Sequence, residues 1–406
     1  MSNNAFVLLT GGLFGGAEKR FTQLFEYLSE NYPGKYYFII TWDLYYKIIE
    51  IFPDYPAQFL IPIGLKSVST KNKNADTDKS NVYTTINHPG FIKQIYRFIK
   101  NYKLQKKYYR EIEQIRNEKS IKCFIGIYNG IIPLYFYLMK RERNMGVIFC
   151  DMDSWFTDVL PKQKKYWYRK FSSFNYALEN SDYIDFLSPF ILEGIRNRGI
   201  KVKEESVSIT PSSFTDYSKC TTGNKNFFQV AFAGRLEKDK NPDLFLEAAV
   251  ILSKKYPQIV FHIMGEGRLS SEIKGKVESS GLTNIILHGF HPQPTKILAD
   301  SSVFVSIQTT NNYPSQSVLE AMACGNAIVA TDVGDTRMFV NENNGILITL
   351  DVDELVNAIE TLYLNKDLRD QMHKNAYTYV RENHTITKMA DYYISLFNKA
   401  LSRYLN

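Results

Sequence analysis

Four glycine-bearing strand-to-helix turns constrain this chain more than any other feature: residues 10–18 (TGGLFGGAE), 232–240 (FAGRLEKDK), 264–267 (MGEG) and 312–325 (NYPSQSVLEAMACG). Short apolar run, turn, then helical periodicity is the rhythm of βαβ units. It predicts parallel sheets covered by helices. In open sheets of this kind, ligands bind outside the carboxyl ends of the strands. Helix N-termini there offer free N–H groups and partial positive charge to phosphates.

The alternation runs through the chain in two series. In the first, strands are expected at 6–10, 36–42, 123–128, 146–150 and 183–188, the last followed by Pro189 and a short helix. Helices are expected at 17–30, with Phe21, Leu24, Phe25 and Leu28 on one stripe, and at 91–119, with Ile92, Ile95, Ile99 and Tyr102 on one stripe. Residues 67–80 are polar and biased, and read as a loop. The polar run 221–226 (TTGNKN) is the best linker. From Phe228 a second series begins, with strands at 229–233, 260–264, 285–288, 303–307, 327–330 and 345–348. Its helices fall at 242–256, 270–280, 293–300, 316–323, 353–365, 366–383 and 388–404. The 406 residues therefore divide into two Rossmann-like α/β domains, 1–212 and 227–385, with a last helix within 386–406 packing back on the first.

The turns admit specific chemistry. Glycines in the first let a backbone approach a phosphate, but it is neither GxGxxG in the dinucleotide register nor a P-loop ending in Gly-Lys-Ser/Thr. A tight structural turn fits it as well as a phosphate cradle. In the second, a strand ends at Gly234 and displays Arg235 and Lys240, two cations suited to a departing diphosphate. They suit a surface pairing with Glu237 and Asp239 equally. In the fourth, Ser315 and Ser317 are N-cap types before a strongly helical run. Glu320 lies about one turn inside, placed either to complement the helix dipole or to accept hydrogen bonds from ribose hydroxyls.

The segments FAGRLEKDKNPDLFLEA, HIMGEGR, LHGF and YPSQSVLEAMACGNAIVATDVGDT, in this order and spacing, resemble the C-terminal domain of glycosyltransferase family 4. The likeness covers roughly residues 228–383, and GGLFGGAEKRF resembles that family's N-terminal glycine loop. The resemblance implies a GT-B fold, two Rossmann-like domains whose parallel sheets face an interdomain cleft. It implies a retaining, metal-independent enzyme with no cofactor besides its nucleotide diphosphate sugar substrate. Arg235 and Lys240 would hold the donor diphosphate, and Glu320 the ribose. The helix start at Ser315, Ser317 and Val318 would meet the phosphates. Gly234, Gly265, Glu266, Gly289 and Phe290 would flank the nucleotide. Gly12, Gly15 and Gly16 would close on the diphosphate from the opposite domain.

Two departures stand out. The family's Glu-x7-Glu motif has Asn312 in place of its first glutamate. Asn312 keeps hydrogen bonding but brings no charge, which leaves open a nucleotide-binding protein without transferase activity. After the strand at 146–150 many relatives carry a histidine, where this chain reads Asp151-Met152-Asp153. Asp151 or Asp153 could orient a sugar hydroxyl or receive the acceptor proton, or simply cap the next helix.

Charge bears on partners. Up to residue 211 there are 30 Lys+Arg against 21 Asp+Glu, whereas the remainder is slightly acidic. Basic segments at 93–122 and 162–170 suit an anionic membrane surface or a lipid-linked saccharide acceptor, or are solvated helix faces. No nucleic-acid-reading motif is present. His288 and His291 are two residues apart, poor spacing for a metal site. Cys123, Cys150, Cys220 and Cys324 form no CxxC pair and read as reduced thiols of a cytoplasmic protein, with peripheral membrane association in view. No signal peptide is read, and no apolar run reaches membrane-spanning length. The expectation is a sugar transferase for cell-surface polysaccharide or glycan synthesis.

Overall fold

The computed structural model describes residues 2–11, 14–66, 91–151, 173–197, 199–210, 217, 220–311 and 313–404, with backbone alone for 91–101, 151 and 173–175. Seven strands form the first sheet: β1 (Asn3–Leu8), β2 (Tyr36–Thr41), β3 (Leu60–Ile63), β4 (Ile121–Ile127), β5 (Gly146–Asp151), β6 (Tyr183–Phe186) and β7 (Val207–Ile209). All are parallel, in the order β3-β2-β1-β4-β5-β6-β7. Six strands form the second: β8 (Gln229–Ala233), β9 (Val260–Met264), β10 (Ile285–Gly289), β11 (Val303–Ser306), β12 (Ala327–Thr331) and β13 (Gly345–Ile348), parallel in the order β10-β9-β8-β11-β12-β13. The two windings are the same. Each reverses beside its first strand, at β1/β4 and β8/β11, and these are the switch points where such sheets take ligands.

The described helices are α1 (Gly16–Asn31), α2 (Trp42–Ile51), α3 (Phe91–Lys119), α4 (Ile131–Leu138), α5 (Ser173–Asn180), α6 (Pro189–Arg196), α7 (Pro242–Lys255), α8 (Ser270–Ser280), α9 (Thr295–Asp300), α10 (Gln316–Ala323), α11 (Val352–Leu364), α12 (Lys366–Asn383) and α13 (Ile386–Ser402). Strands covered on both faces bury continuous apolar runs, and every residue of β11 and β12 is buried.

The last helix belongs to the first core. Met389, Tyr393, Leu396 and Phe397 of α13 pack among the residues of β1, β4 and α1. Phe6 meets Phe397 edge-on at 5.2 Å and Tyr393 at 5.8 Å. Polar contacts fix this docking. Tyr392 donates to the fully buried Asp185 of β6, which also accepts from Thr210 at 3.0 Å. Arg143 and Tyr404 both reach Asp182, and Arg143 stands 2.8 Å away.

Several boundaries differ from the sequence expectations, and caps explain two of them. The first strand covers Asn3–Leu8 rather than 6–10, because Asn3 already pairs with Ile121 while Thr10 has left the sheet to accept from the Thr41 hydroxyl at 2.7 Å. Trp42 opens α2 instead of ending β2, since Thr41 caps that helix by accepting from Leu44 N–H at 3.2 Å. The helix expected from 293 begins at Thr295, after Pro294. The last helix begins at Ile386, because Thr385 accepts from Lys388 N–H at 3.2 Å. β3, α2, α4, α5 and β7 have no counterpart in the expected series. Residues 67–80 and 162–170 lie outside the described residues. Cys123, Cys150, Cys220 and Cys324 are buried and form no disulfide among the described residues. No described helix is long and apolar enough to cross a membrane.

Candidate active site

The second sheet's switch point is built by two loops that grip each other. Thr309 N–H donates to the carbonyl of Asp239 at 3.1 Å, and the Asn241 amide reaches the carbonyl of Ile307 at 3.4 Å. The loop after β8 carries Arg235 and Lys240. Arg235 is 69% exposed and stands 3.4 Å from Asp239. Lys240 is sunk, with 17% side-chain exposure and Asp239 at 3.9 Å. Burial pulls its ammonium down to about 8; Asp239 opposes the fall and Arg235 adds to it. A desolvated cation at a strand end is primed to gain from an anion.

Beside it the glycine turns close up. Gly234 N–H donates to Met264 at 3.0 Å, and Gly265 N–H to Gly289 at 2.7 Å. Gly265 has φ +135°, and a Cβ there would lie 1.8 Å from the Gly234 carbonyl oxygen. Only glycine permits this approach of three strand ends. Glu266 accepts from Phe290 N–H at 3.3 Å, holding a ring that is 72% exposed at the rim.

The fourth turn delivers α10. Ser315 is its N-cap and accepts from Val318 N–H at 3.4 Å, with the Ser317 hydroxyl 3.1 Å away. Such a cap is worth ~1 kcal/mol. Asn311 steadies the approach, its Oδ1 accepting from Tyr313 N–H and Asp335 N–H, each at 3.1 Å. Val318 is fully buried and Glu320 is 7% exposed. Asn312 and Asp153 lie outside the described residues. Asp151 ends β5 in register with Phe186, and only its backbone is described.

The first domain faces this surface. Gly15 caps α1, its N–H donating to Glu18 Oε2 at 3.0 Å, and Gly16 starts the helix with open space where a side chain would stand. Gly12 lies outside the described residues. Polar contacts join the domains here. Lys19 Nζ forms an ion pair with Glu320, and Phe190 N–H at the start of α6 donates to Asp335 at 3.1 Å.

The structure thus brings Gly234, Lys240, Gly265, Gly289, Ser315 and Glu320 to the carboxyl edge of one sheet, with α1 of the other domain against Glu320. Lys19, Arg20, Asn311 and Asp335 were missed from sequence. One signal pointed to the first two. Adjacent cations in the opening turns of a helix oppose its dipole, and such a placement asks for an anion.

Two facing, identically wound parallel-sheet domains define the GT-B class of fold. Sucrose-phosphate synthase from Thermosynechococcus elongatus superposes with a TM-score of 0.71 at 14% identity, over 99% of this chain and 100% of that one. Residues 214–379 match the family described as "Glycosyl transferases group 1". The poly(ribitol-phosphate) alpha-N-acetylglucosaminyltransferase of Staphylococcus aureus (strain COL) is 26% identical over 269 residues, 64% of this chain and 51% of that protein. The UDP-Gal:alpha-D-GlcNAc-diphosphoundecaprenol alpha-1,3-galactosyltransferase of Escherichia coli is 31% identical over 173 residues, 41% of this chain and 44% of that protein. The chain spans about half the length of these curated relatives.

Proposed function

We propose that this chain is a retaining glycosyltransferase of family 4. It moves a sugar from a nucleotide diphosphate sugar to a saccharide or lipid-linked saccharide acceptor in cell-surface polysaccharide or glycan synthesis. The carrying observation is the convergence of Lys240, the Gly234–Gly265–Gly289 backbone and the Ser315 helix start at one sheet edge, with Glu320 facing α1 across the cleft.

The chemistry follows from that convergence. Glycosyl transfer through an oxocarbenium-like transition state leaves negative charge on the departing diphosphate. Lys240, Arg235 and the amide of Ser317 are preorganised to receive it without a divalent cation or other cofactor, whereas the Val318 N–H already serves the Ser315 cap. Glu320 would hold the ribose hydroxyls once Lys19 gives way. Gly12, Gly15 and Gly16 would close over the phosphates, and Asp151 or Asp153 would face the transferred sugar, with Asn312 a neutral contact for it.

The names of similar proteins support the substrate class. One prints a UDP-sugar donor and a diphosphoundecaprenol acceptor, the other a poly(ribitol-phosphate) acceptor. The basic N-terminal half suits such phosphate-bearing acceptors and peripheral attachment to the cytoplasmic face of an anionic membrane. The test is transfer from a panel of UDP-, GDP- and ADP-sugars, in the presence of EDTA, to phosphorylated and lipid-linked saccharides, with the product anomer assigned by NMR. Retained configuration without metal supports the reading; inversion, or turnover only with added Mg²⁺, contradicts it.

A further inference from the structure

One cation of the cleft has no place in that mechanism. Arg20 follows Lys19 on α1 and is 5% exposed. Its Nε and Nη1 are buried, and neither has a hydrogen-bond partner among the described residues. Buried guanidinium groups are otherwise paired, because desolvating an uncompensated charge is costly. The preceding residue, Lys19, pairs with Glu320 of the second domain, which sets this stretch of α1 against the interdomain face. Burial pushes the Tyr313 phenol up to about 12; Tyr379 adds to the rise and Arg20 works against it. Burial likewise raises the Cys150 thiol, with Asp185 adding to the rise and Arg20 opposing it. Tyr313 belongs to the loop that leads into α10, and Cys150 precedes the end of β5. Arg20 therefore sits on the part of α1 that meets the second domain, within electrostatic reach of the loop that carries Tyr313.

We propose that Arg20 anchors a phosphoryl group of the substrate at the floor of the interdomain cleft. The group is preorganised. Nε–H and the Nη1–H groups leave the guanidinium on different sides, and both are unpartnered among the described residues, so each can donate to one phosphoryl oxygen, and a neighbourhood closed to water strengthens the contact. Placement on the helix-start side that opposes the dipole is explained by the same anion, which compensates both the cation and the helix end. The inference rests on the transferase reading, which supplies two sources of that chemistry: the donor diphosphate, and a phosphate carried by the acceptor.

The test is binding of UDP and of glycerol 3-phosphate, with glycerol as uncharged control, to the full chain and to its R20M and R20K forms. Binding is read by calorimetric titration, and Tm is measured without ligand. We expect ligand-free R20M to melt no lower than the parent, since it removes a buried guanidinium with two nitrogens unpartnered among the described residues. Its affinity for one phosphoryl probe should fall about tenfold or more. R20K should recover part of the loss, as a point charge without the fork. A loss confined to UDP puts Arg20 on the donor diphosphate, and one confined to glycerol 3-phosphate puts it on the acceptor. R20M that binds both probes like the parent overturns the inference. So does R20M that melts far below the parent with its affinities intact, which marks a structural arginine. If R20M does not fold, undiminished binding by R20K overturns it equally. A parent chain that binds glycerol 3-phosphate through Arg20 but no nucleoside diphosphate contradicts the transferase reading and leaves the phosphoryl anchor standing.

Discussion

Arg235 and Lys240 carry the same charge five positions apart, yet their settings give them different expected weights. Arg235 is mostly in water beside Asp239, where an ion pair contributes little. Lys240 is desolvated, so an arriving diphosphate relieves it. K240A should lower kcat/KM roughly a hundredfold and R235A roughly tenfold, with small changes in Tm, in steady-state assays. The pH dependence separates them further. Folded Lys240 gives up its proton near pH 8, while an unfolded lysine keeps it to about 10.4. Between those values the unfolded chain binds more protons, so the empty protein gains stability from this group as pH rises. Binding a diphosphate works the other way, because it needs the protonated form. Affinity for UDP should therefore fall as pH passes upward through about 8, and K240R, charged throughout, should flatten that profile. At this scale Arg235, Lys240 and Glu320 were legible because they sit on a run whose spacing resembles a known pattern. Lys19 and Asp335 were not, because their partners lie in the other domain, 301 and 145 residues away.

Elements were legible where one period dominates. β8, β9, α8, α10, β13 and α12 match their expected bounds to the residue. The missed elements are short or ambiguous. β7 has three residues, and α2 reads WDLYYKIIEI, an apolar run that suits strand as well as helix. What no periodicity reveals is that α13 serves the first domain. Its docking turns on Asp185, whose carboxyl is lifted to about 6 by burial, against the pull of hydrogen bonds led by Tyr392. The folded acid holds its proton to about pH 6 and the unfolded one only to about 3.9. The folded chain binds more protons across that window, so this group weakens stability as pH rises through it. Y392F removes a donor that the ionised acid needs. It should cost about 1–3 kcal/mol in urea unfolding at pH 7.5, and clearly less at pH 5.5, where the acid is protonated.

At the scale of the molecule, two domains of equal winding are joined by a returning helix and by contacts such as Lys19–Glu320 and Phe190–Asp335. Composition and alternation made the sheets and their class legible. They said nothing of the bridge between the domains. Lys19 forms it with Glu320, occupying the carboxylate assigned above to the ribose. A nucleotide and Lys19 would then compete for Glu320, and the bridge helps to hold the domains together. K19M should enlarge the radius of gyration of the ligand-free protein in X-ray scattering, and UDP should restore the compact value. An unchanged radius would show that the bridge does not hold the domains.

The central claim, a nucleoside diphosphate site at the edge of the second sheet, is tested most directly by thermal unfolding with UDP, GDP, ADP, CMP and NAD. The parent chain and a K240A/E320A form are compared. A ligand at about a hundred times its Kd adds roughly 2.7 kcal/mol to the folded state. We predict that one nucleoside diphosphate raises the parent's Tm selectively and leaves the double variant unmoved. No response to any diphosphate, a response to NAD alone, or an equal shift in the double variant would contradict the account.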